Sequence, residues 1–143
     1  MTTPPTTARV TLSRAKGWKM PPNTRVVTRG TVFGNPWQIG DPGIWRVPRE
    51  NEKAGWSARC KMDVVVANYD AVALFSAWLR NDLIPFMPDT LSDREQDVVF
   101  ERMRGRRAAI VNRLPELRGK NLACTCKPGQ GCHADVLLEL ANA

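Results

Sequence analysis

The sequence predicts a compact α/β domain, a small and partly parallel sheet flanked by about three helices. Three observations point there. Residues 121–126, NLACTC, are a short apolar run, as expected of a buried strand, and a turn and a helical apolar pattern follow it. Two more helical segments precede that run, and β-branched stretches precede those. Helices between strands favour crossover connections and hence parallel pairing. The length of 143 residues suits one domain, read as 8–143 behind a disordered tail at 1–7. At 43% hydrophobic and 24% charged, the composition is that of an ordinary soluble globular chain.

In chain order, Val10 and Leu12 alternate with polar neighbours and predict a first strand over 8–13. Pro21, Pro22 and Asn23 mark a loop, and the β-branched residues 24–28 a second strand. Residues 29–37 read as a rigid loop, because Gly34 permits unusual dihedrals and Asn35 precedes a proline. Residues 38–63 read as irregular, with Trp45 and Trp56 covering the sheet, and residues 64–66 as a further short strand. Apolar spacing through Ala71, Val72, Leu74, Phe75, Trp78 and Leu79 predicts a helix over 70–84. Asn68 or Asp70 would cap it and Pro85 would stop it. Ser92 with Glu95 forms a capping box for a helix running to Leu114, ended by Pro115. The arginines around Gly105 (102, 104, 106 and 107) read as a solvated face. The last strand ends in the turn 127–131, and Val136, Leu137, Leu140 and Ala141 set a final helix over 133–142.

That strand–turn–helix carries the distinctive chemistry: Cys124, Cys126, Cys132 and the single histidine, His133. Ligands in open α/β sheets bind outside the carboxyl ends of strands, and free amides at helix starts attract anions. No stretch approaches the ~20 apolar residues of a membrane span. The N-terminus lacks the apolar core of a signal peptide. A cytosolic protein is therefore expected, in which clustered cysteines are metal ligands or reactive thiols rather than disulfides. Cys60, standing apart, reads as a small core residue.

The cluster admits three readings. Cys124, Cys126, Cys132 and His133 together make a recognised structural zinc set. Their spacing is tight: Cys124 and Cys126 share a face of an extended strand, but adjacent Cys132 and His133 would strain the backbone to reach one ion. Alternatively, Cys132 at a helix start is a thiolate, or Cys126 a nucleophile with His133 as its base; Asp135 orients the histidine or caps the helix, and Lys127 adds charge. Thirdly, the cysteines are core residues and His133 satisfies a helix end.

Charge adds a partner. The first 50 residues carry eight Lys/Arg against two acids, net +6, out of +7 for the chain. That asymmetry suggests a nucleotide or nucleic acid. Arg14, Lys16, Arg25 and Arg29 are candidate phosphate contacts, Trp18 and Trp37 candidate stacking platforms, and Asn35 a candidate contact to a base edge or sugar. The competing readings are surface charge, core tryptophans and turn chemistry.

Three segments together resemble a family of bacterial and phage proteins known as domain-of-unknown-function family 4326. They are Arg14 with GWKMPPN at 17–23, GNPW at 34–37, and LRGKNLACTC at 117–126 with CHADVLLELA at 132–141. In the family pattern an aromatic often separates the first two cysteines, where this chain has Thr125. The resemblance implies a domain that stands alone in small proteins; it supplies no activity. The leading expectation is a domain that binds a phosphate-bearing ligand, with possible nucleotide-modifying or hydrolytic chemistry. The alternative is a zinc-stabilised, non-catalytic interaction module.

Overall fold

The computed structural model describes residues 8–28, 31–48, 56–62, 65–82, 91–126 and 130–143, with backbone alone for 56–61. In chain order the elements are β1 (Arg9–Thr11), β2 (Thr24–Val26), β3 (Trp37–Gln38), β4 (Ile44–Pro48), β5 (Trp56–Lys61), α1 (Asn68–Asn81), α2 (Asp93–Leu117), β6 (Asn121–Cys124) and α3 (His133–Ala141). The tail at 1–7, Arg29, Val64, Ile84, Pro85 and Lys127 lie outside the described residues, as do the side chains of Trp56 and Cys60.

The first sheet has the order β1-β6-β2, and both pairings are parallel. As the central strand, β6 is apolar on both faces: Leu122, Ala123 and Cys124 are all buried. All three strands run the same way, so their carboxyl ends share one edge. The opposite edge is held by asparagines. Asn23 Nδ2 donates to the Gly119 carbonyl, Asn142 Oδ1 accepts from the Gly119 amide, and Asn121 Oδ1 accepts from the Ala8 amide. Gly119, at φ 74°, makes the left-handed turn that feeds β6.

The described part of residues 38–63, read as irregular from the sequence, holds strands. β3, β4 and β5 form a second, antiparallel sheet in that order. Along β4, Trp45 and Val47 face inward while Ile44 and Arg46 stay partly exposed, the alternation expected of a half-buried strand. Val66 makes an isolated bridge to Gly40 rather than a strand. The two sheets meet through helices: α1 packs on β3, α2 on β4, and α3 on α1, α2, β6 and β1. One continuous core results, and an aromatic line runs through it. Trp37 meets Trp78 edge-on at 5.7 Å, Trp78 meets Phe75 at 6.1 Å, and Phe75 meets the His133 ring at 5.4 Å.

Helix ends differ from expectation in detail. α1 starts after Ala67, whose amide donates to the Asp70 carboxylate, and it closes on Asp82 in the left-handed region. The Ser92–Glu95 capping box forms as expected. Pro115 does not end α2. It sits in the last turn, and the Arg118 amide closes on its carbonyl at 3.3 Å. The arginine run is only partly a solvated face. Arg106 is buried, and Arg107 crosses to α1, donating to the carbonyls of Trp78 at 2.9 Å and Leu79 at 2.7 Å.

Candidate metal centre

At the carboxyl edge of the first sheet, β6 ends in Cys124 and its continuation carries Cys126. Cys132 returns to the same place as the residue preceding α3. β1 fixes the backbone here: the Leu12 amide donates to the Cys124 carbonyl at 2.9 Å, and Thr11 Oγ1 donates to the Cys126 carbonyl at 3.0 Å. On the other side, Asn68 Nδ2 donates to the Gly131 carbonyl at 3.0 Å, tying the start of α1 to the residue before Cys132. The three Sγ atoms consequently lie within 4.8 Å of one another, close enough to hold a metal ion. Cys124 and Cys132 are buried at 1% exposure, and Cys126 is half-buried.

Cys124 and Cys132 Sγ are 2.9 Å apart. A thiol proton shared at that distance stabilises one sulfur as thiolate. Donation from Cys132 holds Cys124 down at about 6, despite burial. Cys132 is pushed far up, because it is the donor and is buried. Burial also pushes the Cys126 thiol up. Cys132 was expected as a thiolate at the helix start; its contact with Cys124 and its burial act the other way on its thiol.

His133 opens α3 and is buried, 8% exposed. Its Nε2 is 2.6 Å from the Val27 carbonyl. A carbonyl only accepts, so Nε2 carries the proton. Nδ1 then presents its lone pair, and it stands 3.6 Å from Cys132 Sγ. The strain expected of an adjacent Cys–His pair is relieved by a change of backbone. Cys132 is extended (φ −148°, ψ 148°) whereas His133 is already helical, so the two side chains turn to one side. His133 is not a member of the set whose atoms all lie within 4.8 Å; it meets that set through Cys132.

Asp135 is a cap. Its Oδ2 accepts from the Cys132 amide at 3.3 Å and pairs with Arg9 at 2.9 Å. That carboxylate already occupies the anion position at the first turn of α3. Arg9 escaped the sequence reading, since nothing in a lone strand arginine marks it. It is 14% exposed, and its charge assists in lowering Cys124.

The remaining predicted residues separate into two groups. Asn35, Trp37 and Arg25 are engaged in packing. Asn35 is 4% exposed, with Nδ2 donating to the Ala71 carbonyl and Oδ1 accepting from the Trp37 amide, each at 2.9 Å. Trp37 is fully buried against Trp78. Arg25 pairs with Glu116 at 3.5 Å and lies over the Phe33 ring at 5.9 Å. Arg14, Lys16 and Trp18, by contrast, lie on the exposed loop that leaves β1 at the same carboxyl edge as the cysteines.

These features define a small α/β domain with a cysteine cluster at the carboxyl edge of a parallel sheet. The family described as "Domain of unknown function (DUF4326)" matches residues 10–143, and the chain belongs to it. No curated protein and no solved structure matches the chain. Among the described residues, no helix is long and apolar enough to cross a membrane.

Proposed function

We propose that the protein is a zinc-stabilised binding domain. The ion is held by Cys124, Cys126, Cys132 and Nδ1 of His133, and the edge that it fixes presents positive charge to a phosphate-bearing ligand. The observation that carries this reading is the histidine. Ligating histidines characteristically donate their other ring N–H to a carbonyl or carboxylate, and His133 does so to Val27. Tetrahedral zinc, with Zn–S of ~2.3 Å and Zn–N of ~2.0–2.1 Å, sets an N···S spacing of about 3.6 Å. The Nδ1–Sγ distance matches it. The Cys124–Cys132 pair, at 2.9 Å, opens to the ~3.8 Å that the same geometry requires. Three thiolates and zinc leave one negative charge, which the nearby Arg9 guanidinium, shared with Asp135, attracts.

The thiol-catalysis reading rests on Cys126. A nucleophile must reach its substrate, and Cys124 and Cys132 are buried, whereas Cys126 is half-buried. The two readings part in one experiment: metal content by mass spectrometry, on protein purified without a metal-affinity tag, with a free-thiol count. The zinc domain predicts one zinc per chain, lost in Cys126→Ser and His133→Ala. A metal-free folded protein with a reactive Cys126 would overturn it in favour of the nucleophile.

A further inference from the structure

The loop 13–23 is exposed at every residue and runs from the carboxyl end of β1 to the amino end of β2. It carries Arg14, Lys16 and Lys19. Among the described residues these three have no ion-pair partner. Arg9, Arg25, Arg80, Arg104 and Arg107 are all paired with carboxylates. No acidic residue occurs between positions 8 and 40, so nothing in the local sequence neutralises them. Unpaired cations on a short loop repel one another, and a polyanion relieves that repulsion.

The same loop holds two apolar side chains in solvent: Trp18, 36% exposed, and Met20, 44% exposed. Gly17, at φ 84°, makes the turn that the Trp18 amide closes on the Ala15 carbonyl at 3.1 Å, and along the chain Trp18 falls between Lys16 and Lys19. An exposed aromatic between cations is the composition of a base-stacking platform with backbone contacts on either side.

We infer that this loop binds single-stranded nucleic acid, with Trp18 stacking on a base and Arg14, Lys16 and Lys19 contacting the phosphates on its flanks. The inference rests on the phosphate-ligand reading above and narrows it. A free nucleotide needs a concavity that buries most of its surface, and a loop exposed along its whole length offers none. A strand instead gains its contacts along its length. Duplex bases are already stacked on one another, and so gain little from an exposed indole.

The test is fluorescence titration of the full chain, reading both tryptophan quenching and the anisotropy of labelled oligothymidylate and oligouridylate. A hairpin duplex and a nucleoside triphosphate are the comparison ligands. Oligonucleotide should bind more tightly than either, with affinity falling as salt rises at a log–log slope of about −2, from three phosphate contacts at ~0.7 each. Trp18→Ala should weaken binding about five- to 150-fold, the range for loss of one base stack, with the melting curve unchanged. Lys16→Glu with Lys19→Glu should flatten the salt slope. If the triphosphate binds as tightly as the oligonucleotide, the single-strand inference fails and the phosphate reading stands. If duplex binds equally well and Trp18→Ala changes nothing, stacking is refuted. If no ligand binds at low salt, both fail.

Discussion

Asn35→Ala should cost the fold and spare the ligand. Asn35 sits in the GNPW segment, which in sequence looks like a recognition loop, yet its side chain spans two elements. Oδ1 accepts from the amide of Trp37, a residue with no exposed surface, and Nδ2 donates to the Ala71 carbonyl in α1. Alanine leaves the Trp37 amide without that acceptor. An orphaned buried donor costs about 1–3 kcal/mol, and the lost second bond adds about 1. The sum is about 2–4 kcal/mol. At about 3 °C per kcal/mol for a chain of this size, melting falls by about 6–12 °C. Asn35→Asp keeps the acceptor but turns a carboxylate oxygen onto the Ala71 carbonyl, so it should fall at least as far. The assay is thermal unfolding by circular dichroism, with oligonucleotide affinity measured well below the midpoint. Unchanged melting with lost affinity would refute the argument and return Asn35 to the binding surface.

Other expectations follow from single contacts. Gly105→Ala should raise stability by about 1 kcal/mol, because the position is helical and exposed, and an added Cβ meets nothing within 4 Å; denaturant titration reads it, and a loss would show an unseen constraint. Ser92→Ala removes the acceptor for the Glu95 amide and should cost about 1 kcal/mol by the same titration. Arg107→Met leaves two carbonyls at the end of α1 without their charged donor, for a loss of about 2–4 kcal/mol; a loss below 1 would mean that water replaces the guanidinium freely. In metal-free protein, Cys124 should titrate at about 6, against an ordinary thiol value of 9.0, and Cys132 above that value. The folded pair therefore binds fewer protons than the unfolded chain between those two pH values, and more above the upper one. Stability should rise from pH 6 towards 9 and decline beyond. A flat profile would count against a shared proton.

The parts of this fold legible in sequence were those encoded locally. The strand–turn–helix of β6 and α3 is written in apolar period and turn residues, and the Ser92 box in two side chains three apart. The second sheet was not, although Trp45 and Val47 alternate correctly. Gly40, Pro42, Gly43 and Pro48 interrupt the pattern, and the strands are held by cross-strand pairs such as Trp37 with Trp45, which no local window contains. The cluster was legible as residue types, and its arrangement was not. Whether two thiols share a proton depends on the Cys124–Cys132 distance, and the direction of the His133 ring depends on the Val27 carbonyl, 106 residues away. The basic loop and the GNPW loop looked alike in sequence. They differ in burial, which only the packing of Trp37 on Trp78 decides.

The proposed function stands on a four-coordinate centre at the end of β6 and the start of α3. Zinc K-edge X-ray absorption on the protein as purified tests it most directly. The expected spectrum is a shell of three sulfurs at ~2.3 Å and one nitrogen at ~2.0–2.1 Å, and His133→Ala, which loses the ion, should give no zinc edge. A shell without sulfur, or a folded protein that neither carries nor takes up zinc, would contradict it.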